Sequence, residues 1–428
     1  MPGLQASSEI FPAQGRKLLE NDIKSSKFMK KHIILAALAA VILPLSVSAQ
    51  PQQKPAPEPE YQFTVVKENP ITSIKNQFRS GTCWCFSTIS FLESEAIRIN
   101  KIKDAAAYPD FSEMFVVSHS YKDRADKYIR VDGKLGFGAG SEADDVLHVI
   151  KDYGLVPQSA MPGIQALPNH GELDAAAKGY IEAIAGVTRK GTLSTTWKKG
   201  FDGVIDTFLG ECPESFEIDG KTYTPETYRD AMKIVPDDYI TITSFTHHPF
   251  YTKFAIEVSD NWRWDEAYNL PIDEFMQVLY NAIENGYTAA WGTDVSEKGF
   301  TRNGLAVLLD ESKKPQAGSD QEHWVGKEVE KKEAPAKELP KEIVPTQEYR
   351  QEGFDNKTTT DDHGMHIYGI AKDQNGTTYF MVKNSWGETG KYKGIWYASD
   401  AFVRGKSLDI MVHKDAVPKD IKKKFGIK

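Results

Sequence analysis

The segment Asn76-Gln77-Phe78-Arg79-Ser80-Gly81-Thr82-Cys83-Trp84-Cys85-Phe86-Ser87 sets a glutamine ahead of a cysteine that opens an apolar, helix-like run. Far downstream stand Asp362-His363-Gly364-Met365 and Lys383-Asn384-Ser385-Trp386-Gly387. Together these supply a thiol, an imidazole, an amide to orient it and a second amide to meet a developing oxyanion. Those are the groups that nucleophilic acyl transfer through a thioester requires. A thiol is mostly protonated at neutral pH, and a helix N-terminus or a nearby imidazolium lowers its pKa. Ser80-Gly81-Thr82 is a turn and cap sequence, so Cys83 falls in the first turn of the helix that follows. Gln77 suits an oxyanion donor beside the backbone N–H of Cys83. A cysteine before a helix is by itself more often a packing residue; Gln77, His363 and Asn384 change that balance.

The histidine and the asparagine are linked by topology. Met365 to Ala371 and Tyr379 to Lys383 read as strands flanking the turn sequence Asp373-Gln374-Asn375-Gly376-Thr377. A hairpin centred there brings His363 and Asn384 nearly opposite each other. Asn384 then accepts from the ring and fixes its tautomer, and Trp386 covers that hydrogen bond. His366 is the rival base, placed on the opposite face by strand alternation.

Other elements follow from periodicity. Helices are expected over Trp84 to Ile102, Phe111 to Tyr128, Glu142 to Tyr153 (ending at Gly154) and Pro271 to Glu284, with a strand over Tyr287 to Gly292. Residues 311–342, rich in Lys, Glu, Pro and Ala, read as a solvated, partly disordered insertion.

The motifs resemble those of the papain superfamily: Gln77 with Cys83-Trp84, Asp362-His363, and Asn384-Ser385-Trp386-Gly387. The wider chain is similar to the bleomycin hydrolase/aminopeptidase C branch. The supporting stretches are Gly138-Ala139-Gly140-Ser141, Tyr153-Gly154-Leu155-Val156-Pro157, Tyr223-Thr224-Pro225-Glu226, His247-His248-Pro249-Phe250-Tyr251 and Trp291-Gly292-Thr293-Asp294-Val295. His363-Gly364-Met365 stands where that branch has His-Ala-Met. The resemblance covers about Phe63 to Pro418. It implies an α+β, papain-like two-lobed fold, a helical lobe plus a β-barrel-like lobe, with large insertions. It also implies a Cys83 acyl-enzyme with His363, Asn384 and Gln77 as the remaining catalytic residues and no metal or cofactor. Gly138, Ala139, Gly140, Ser141 and Trp386 would line the substrate cleft. Peptides or proteins are the implied substrates, and a hexamer is the family's assembly. In the relatives the chain's own C-terminus lies in the cleft and restricts them to aminopeptidase action; here the residues after Pro418 form a short, basic tail. An endopeptidase with an open cleft, an inactive peptide-binding homologue and a transglutaminase-like acyl transferase are the competing classes. Transglutaminase-like enzymes usually orient their histidine with Asp, which counts against the last.

The N-terminal region reads as a targeting segment. Met29-Lys30-Lys31, the apolar stretch Ile33 to Val47 and the triplet Val47-Ser48-Ala49 form a secretory signal, 29–49. Residues 1–28 are read as a non-native upstream extension, 50–60 as a Pro-rich linker and 61–428 as the peptidase domain. The expected location is periplasmic or extracellular, with no stable membrane insertion after signal cleavage. The net charge of −8 argues against nucleic acid as a partner. Cys83, Cys85 and Cys212 are too few for a disulfide framework; of the two alternatives for Cys85 and Cys212, a bridge or two buried thiols, the second is the expectation. His247-His248 has no third ligand at useful sequence spacing, and Gly136-Phe137-Gly138-Ala139-Gly140 lacks the Lys-Ser/Thr of a phosphate loop.

Overall fold

The computed structural model describes residues 60–163, 167–188, 191–309 and 339–427. Residues 1–59, which carry the expected extension, signal and nearly all of the linker, lie outside the described residues, as does most of the charged segment after Leu309. The end of that segment differs from expectation: Glu342 is docked, accepting from the Leu308 N–H at 2.7 Å and from the Ser399 hydroxyl.

The first half is helical. After strand β1 (Thr64–Glu68) come α1 (Cys83–Asn100), α2 (Glu113–Arg130), α3 (Ala143–Tyr153), α4 (Gly171–Thr188) and α5 (Thr196–Leu209). A small hairpin, β2 (Phe216–Ile218) and β3 (Lys221–Tyr223), then leads into α6 (Pro225–Met232). Local chemistry sets the boundaries. Ser112 caps α2 by accepting from Phe115 N at 3.2 Å, and α3 begins with a Glu142/Asp145 capping box. Gly154 ends α3 at φ +88°, and a Cβ there would lie 2.3 Å from the Pro225 carbonyl carbon. Leu155 N donates to Pro225 O at 3.0 Å, so the Tyr153–Pro157 and Tyr223–Glu226 motifs meet in space.

The second half is mainly sheet: β4 (Tyr239–Thr243), β5 (Lys253–Ala255), β6 (Glu266–Asn269), α7 (Ile272–Glu284), β7 (Ala289–Thr293), β8 (Phe300–Thr301) and β9 (Leu305–Ala306). It continues with α8 (Gln347–Asp355), β10 (His363–Lys372), β11 (Thr378–Lys383), β12 (Ile395–Ser399), α9 (Asp400–Lys406), β13 (Ser407–His413) and α10 (Lys419–Phe425). The sheet runs β5-β6-β4-β13-β7-β10-β11-β12-β9-β8, with β1 added beside β10.

Two cores result. One packs α1 to α6 around Phe91, Phe111 and Phe115; the other fills the sheet around Trp291, Met365 and Trp396. Each such aromatic contributes roughly 1.5–3 kcal/mol on burial. The fold is α+β with a helical lobe and a sheet lobe, as the motifs led one to expect. Helix α1 joins them, with 14 of its 18 residues buried.

Candidate active site

Cys83 is the first residue of α1. The turn before it is tied by its own side chains: Ser80 Oγ donates to Gln77 O at 2.7 Å and lies 2.6 Å from Thr82 Oγ1. Phe78, between Asn76 and Arg79, takes φ +51°, with its N–H bonded to Asn76 Oδ1 at 2.8 Å. Strain of this kind persists where surrounding contacts over-determine the backbone. Here they do: Gln77 N donates to Ser385 O at 2.8 Å and Gly387 N to Lys75 O at 3.0 Å. The two motifs are thus stitched together by main-chain bonds.

His363 opens β10 and lines the same pocket as Cys83. Its Nε2 is 2.8 Å from Asn384 Oδ1. The Ser385 backbone N–H also reaches that oxygen, at 2.7 Å, which fixes the amide orientation. Nε2 must therefore carry the hydrogen, and Nδ1 is the nitrogen that can exchange a proton with a thiol. Trp386 stacks on the imidazole, centroids 4.7 Å apart and planes at 27°.

The hairpin geometry departs from expectation in one respect. The turn is centred one residue later, so Lys372 faces Thr378, and a bulge falls between Ile367 and Gly369. The ladder ends at His366–Lys383, leaving His363 across from Thr293 of β7. Asn384 is therefore not opposite His363. It lies just beyond its strand and reaches back along the sheet. His366 faces α1, buried, with Nδ1 2.9 Å from Ser90 Oγ. Gly364 lets α1 approach: a Cβ there would meet Ser87 Oγ at 2.7 Å and Cys83 O at 3.3 Å.

Gln77 is buried, with its amide held at both ends. Oε1 accepts from Ser385 Oγ at 2.6 Å and Nε2 donates to Ser80 O at 2.8 Å. An amide nitrogen has two hydrogens, so one remains for an oxyanion. Gly138, Ala139 and Gly140 form a backbone wall beside Cys83. Trp84 Nε1 donates to Ala139 O at 2.9 Å, and Arg124 Nη1 donates to Gly138 O at 3.1 Å and to Gly140 O. Ser141 lines the pocket, its hydroxyl accepting from Trp262 Nε1 and donating to Asp145, both at 2.6 Å.

Sequence reasoning missed three features. Lys75 lies beneath the Gln77 loop, 2.7 Å from Glu113 and Asp110 and 3.2 Å from Glu93; these carboxylates raise its pKa against a desolvation penalty that lowers it. His247 and His248 do have a third polar partner: Glu257 accepts from both, at 3.0 and 2.9 Å. The pocket beside Cys83 is also lined by Glu142, Asp361 and Asp409. None of the three cysteines forms a disulfide, and Cys85 Sγ donates to Glu113 O at 3.4 Å inside the helical core.

The terminal helix α10 packs elsewhere. Phe425 sits edge-on to Tyr268, 4.9 Å between centroids, and beside Tyr251, while Lys424 pairs with Glu274 at 2.6 Å. None of these partners lines the pocket. Ile427 N closes back onto Lys422 O at 3.0 Å. No helix among the described residues is long and apolar enough to cross a membrane.

With this geometry in place, the class of protein is defined: the chain belongs to the Peptidase C1-like family, matched over residues 17–310 and 344–428, and is a cysteine-type peptidase. Among its relatives, aminopeptidase G of Lactobacillus delbrueckii subsp. lactis is 22% identical, covering 82% of this chain and 83% of that protein. Aminopeptidase C of Lactococcus lactis subsp. lactis is 22% identical, covering 85% and 84%. The crystal structure of PepW from Lactobacillus rhamnosis superposes with TM-score 0.64 at 18% identity, over 85% of this chain and 84% of that one, and shares the fold.

Proposed function

We propose that the protein is an exported cysteine aminopeptidase that removes N-terminal residues from peptides. The observation that carries this is the His363 Nε2–Asn384 Oδ1 bond in the pocket that Cys83 lines. The names of the relatives favour the aminopeptidase mode. Cys83 Sγ attacks the scissile carbonyl as its proton passes to His363 Nδ1. The resulting oxyanion is met by Gln77 Nε2 and the Cys83 N–H. As the C–N bond breaks, His363 returns the proton to the leaving amine. Water, deprotonated by the same nitrogen, then cleaves the thioester and frees Cys83. The basic, apolar and small-residue pattern over residues 29–49 supports export.

One observation favours a second reading, an endopeptidase. Phe425 of helix α10 packs on Tyr251 and Tyr268, which do not line the pocket of Cys83. Mass analysis of products separates the two. An aminopeptidase sheds single residues from free N-termini; internal fragments from N-acetylated peptides would show an endopeptidase. Cys83→Ala should abolish turnover either way, and full activity in that variant would remove the mechanism. Export is tested by N-terminal sequencing from the native host, which should begin at Gln50; retention of residues 1–28 would refute it.

A further inference from the structure

The turn that leaves β4 carries His247 and His248 side by side, and β5 leads out to Glu257. In an extended strand two successive side chains point to opposite faces. Here the turn brings both rings to one place. Asn269 ties it: Nδ2 donates to Phe245 O at 2.8 Å and to His248 O at 3.0 Å, and Oδ1 accepts from Phe245 N at 2.9 Å. Gln351 of α8 holds the same backbone, its Oε1 accepting from the Thr246 and His247 N–H groups. The rings then rest on buried aromatics. His248 stacks on Phe254, with 4.2 Å between centroids and 21° between planes, and His247 stacks on Phe354 at 5.5 Å and 15°.

Two imidazole nitrogens thereby converge on one carboxylate. His247 Nε2 is 3.0 Å from Glu257 Oε2, and His248 Nε2 is 2.9 Å from Oε1. Among the described residues, only these three bring His, Cys, Asp or Glu ligand atoms within 4.8 Å of one another. Ligands around a tetrahedral zinc stand about 3.3–3.6 Å apart, given bonds of about 2.0–2.2 Å, so small side-chain movements close the set. An exposed ion pair contributes little by itself and does not require two rings fixed by separate aromatic walls. A metal site requires that, and an outer layer to orient its histidines. Gln351 supplies the outer layer. His247 Nδ1 lies 3.0 Å from Gln351 Nε2 and 3.3 Å from its Oε1, and Asp355 Oδ1 anchors that amide at 2.8 Å. The amide can therefore meet either tautomer. With the hydrogen on the imidazole Nε2, Nδ1 accepts from the amide; with a metal on Nε2, the hydrogen sits on Nδ1 and Gln351 Oε1 accepts it.

We infer that His247, His248 and Glu257 bind a divalent metal ion of the zinc type. Two imidazoles and one carboxylate suit such ions, whereas calcium and magnesium take oxygen ligands. Three protein ligands at a solvent-facing edge leave a fourth position for water. None of the three lines the pocket of Cys83, so the ion belongs to the β4–β5 loop and not to the acyl-enzyme chemistry. It fastens the turn after β4 to the chain beyond β5.

The experiment titrates the full chain with zinc chloride by calorimetry, in a Cys83→Ala background that removes the reactive thiol as a rival ligand. One zinc should bind and raise the melting temperature, since an ion that binds only the folded state stabilises it. Losing an outer partner of a metal ligand costs about 10–100-fold in affinity. Losing a ligand should cost at least as much, so Glu257→Gln and His248→Gln in the same background should each weaken zinc by that factor and abolish the melting shift. Both side chains are open to solvent, so the metal-free melting temperature should hold; where one variant does not melt cooperatively, the other decides. Cobalt chloride in place of zinc should give the spectrum of nitrogen and oxygen ligands, with no thiolate charge-transfer band. Absence of zinc binding, undiminished binding in the folded variants, a thiolate band, or calcium chloride binding as tightly as zinc overturns the inference.

Discussion

Around His363, neutral groups answer one another. Asn384 Oδ1 accepts from the imidazole and from Ser385 N–H, and Ser385 Oγ donates to Gln77, whose other end is held by Ser80 O. Around Glu142, on the same pocket, carboxyls stand near carboxyls, and the Glu142 and Asp361 side chains hydrogen-bond each other. The first arrangement fixes its side chains by hydrogen bonds before substrate arrives. It holds dipoles where charge develops during reaction and needs no reorganisation then. The second gathers carboxyls that burial pushes toward their neutral form. One cavity thus has two kinds of polar wall: amides and an imidazole in fixed hydrogen bonds on one side, crowded carboxyls on the other.

The sharpest way to break the neutral side is to compare its two histidines. His363→Ala should lower kcat about 10²–10⁴-fold, the usual worth of a general base, while His366→Ala should leave kcat within a few-fold and lower the melting temperature. A dead His366 variant would move the base to the wrong face of β10. Beneath that side lies a charged support. Lys75→Met strands Glu93 and Glu113 in the core and should cost about 3–5 kcal/mol in urea unfolding; an unchanged midpoint would show that the Lys75 network does not hold the Gln77 loop. Gln77→Ala removes one oxyanion donor and should lower kcat about 10²–10³-fold with little change in KM. A KM effect alone would transfer Gln77 to ground-state binding.

The smallest effect concerns pH. Burial, and next the charge of Lys383, hold the His366 pKa well below its ordinary 6.5. The unfolded chain takes up that proton near 6.5 and the folded chain does not, so this contribution is present above pH 6.5 and lost as pH falls below it. The stability advantage of wild type over His366→Gln should therefore shrink by about 1.4 kcal/mol per pH unit below 6.5. A pH-independent difference would mean that His366 protonates in place.

The contrast between the two sides also explains what the sequence made legible. The neutral side is encoded in short runs. Gln77 to Cys83 is one turn and one helix start, and His363 and Asn384 flank one hairpin, so local rules found them. Even there the register slipped by about one residue, because the bulge between Ile367 and Gly369 is set by packing rather than by turn chemistry. The acidic side has no local signature. Glu142 looks like a helix cap and Asp361 like a neighbour of His363. Asp409 lies on a strand whose partner, β7, is more than a hundred residues earlier, and it meets Gly292 only once the sheet has formed. Glu257 escaped notice for the same reason: the β5–β6 segment returns it to His247 and His248 through tertiary contact, not ligand spacing. Buried charge becomes visible only after burial is known.

The central claim is that Cys83, alone among the three cysteines, is the nucleophile. Cys85 is fully buried and burial pushes its thiol pKa well up; burial also raises that of Cys212. Limited iodoacetamide treatment at neutral pH, followed by peptide mapping, tests this directly. The account predicts carboxamidomethyl on Cys83, activity lost in proportion to that label, and protection by a peptide substrate. Activity that survives complete Cys83 alkylation, or is lost with label only on Cys212, would contradict it.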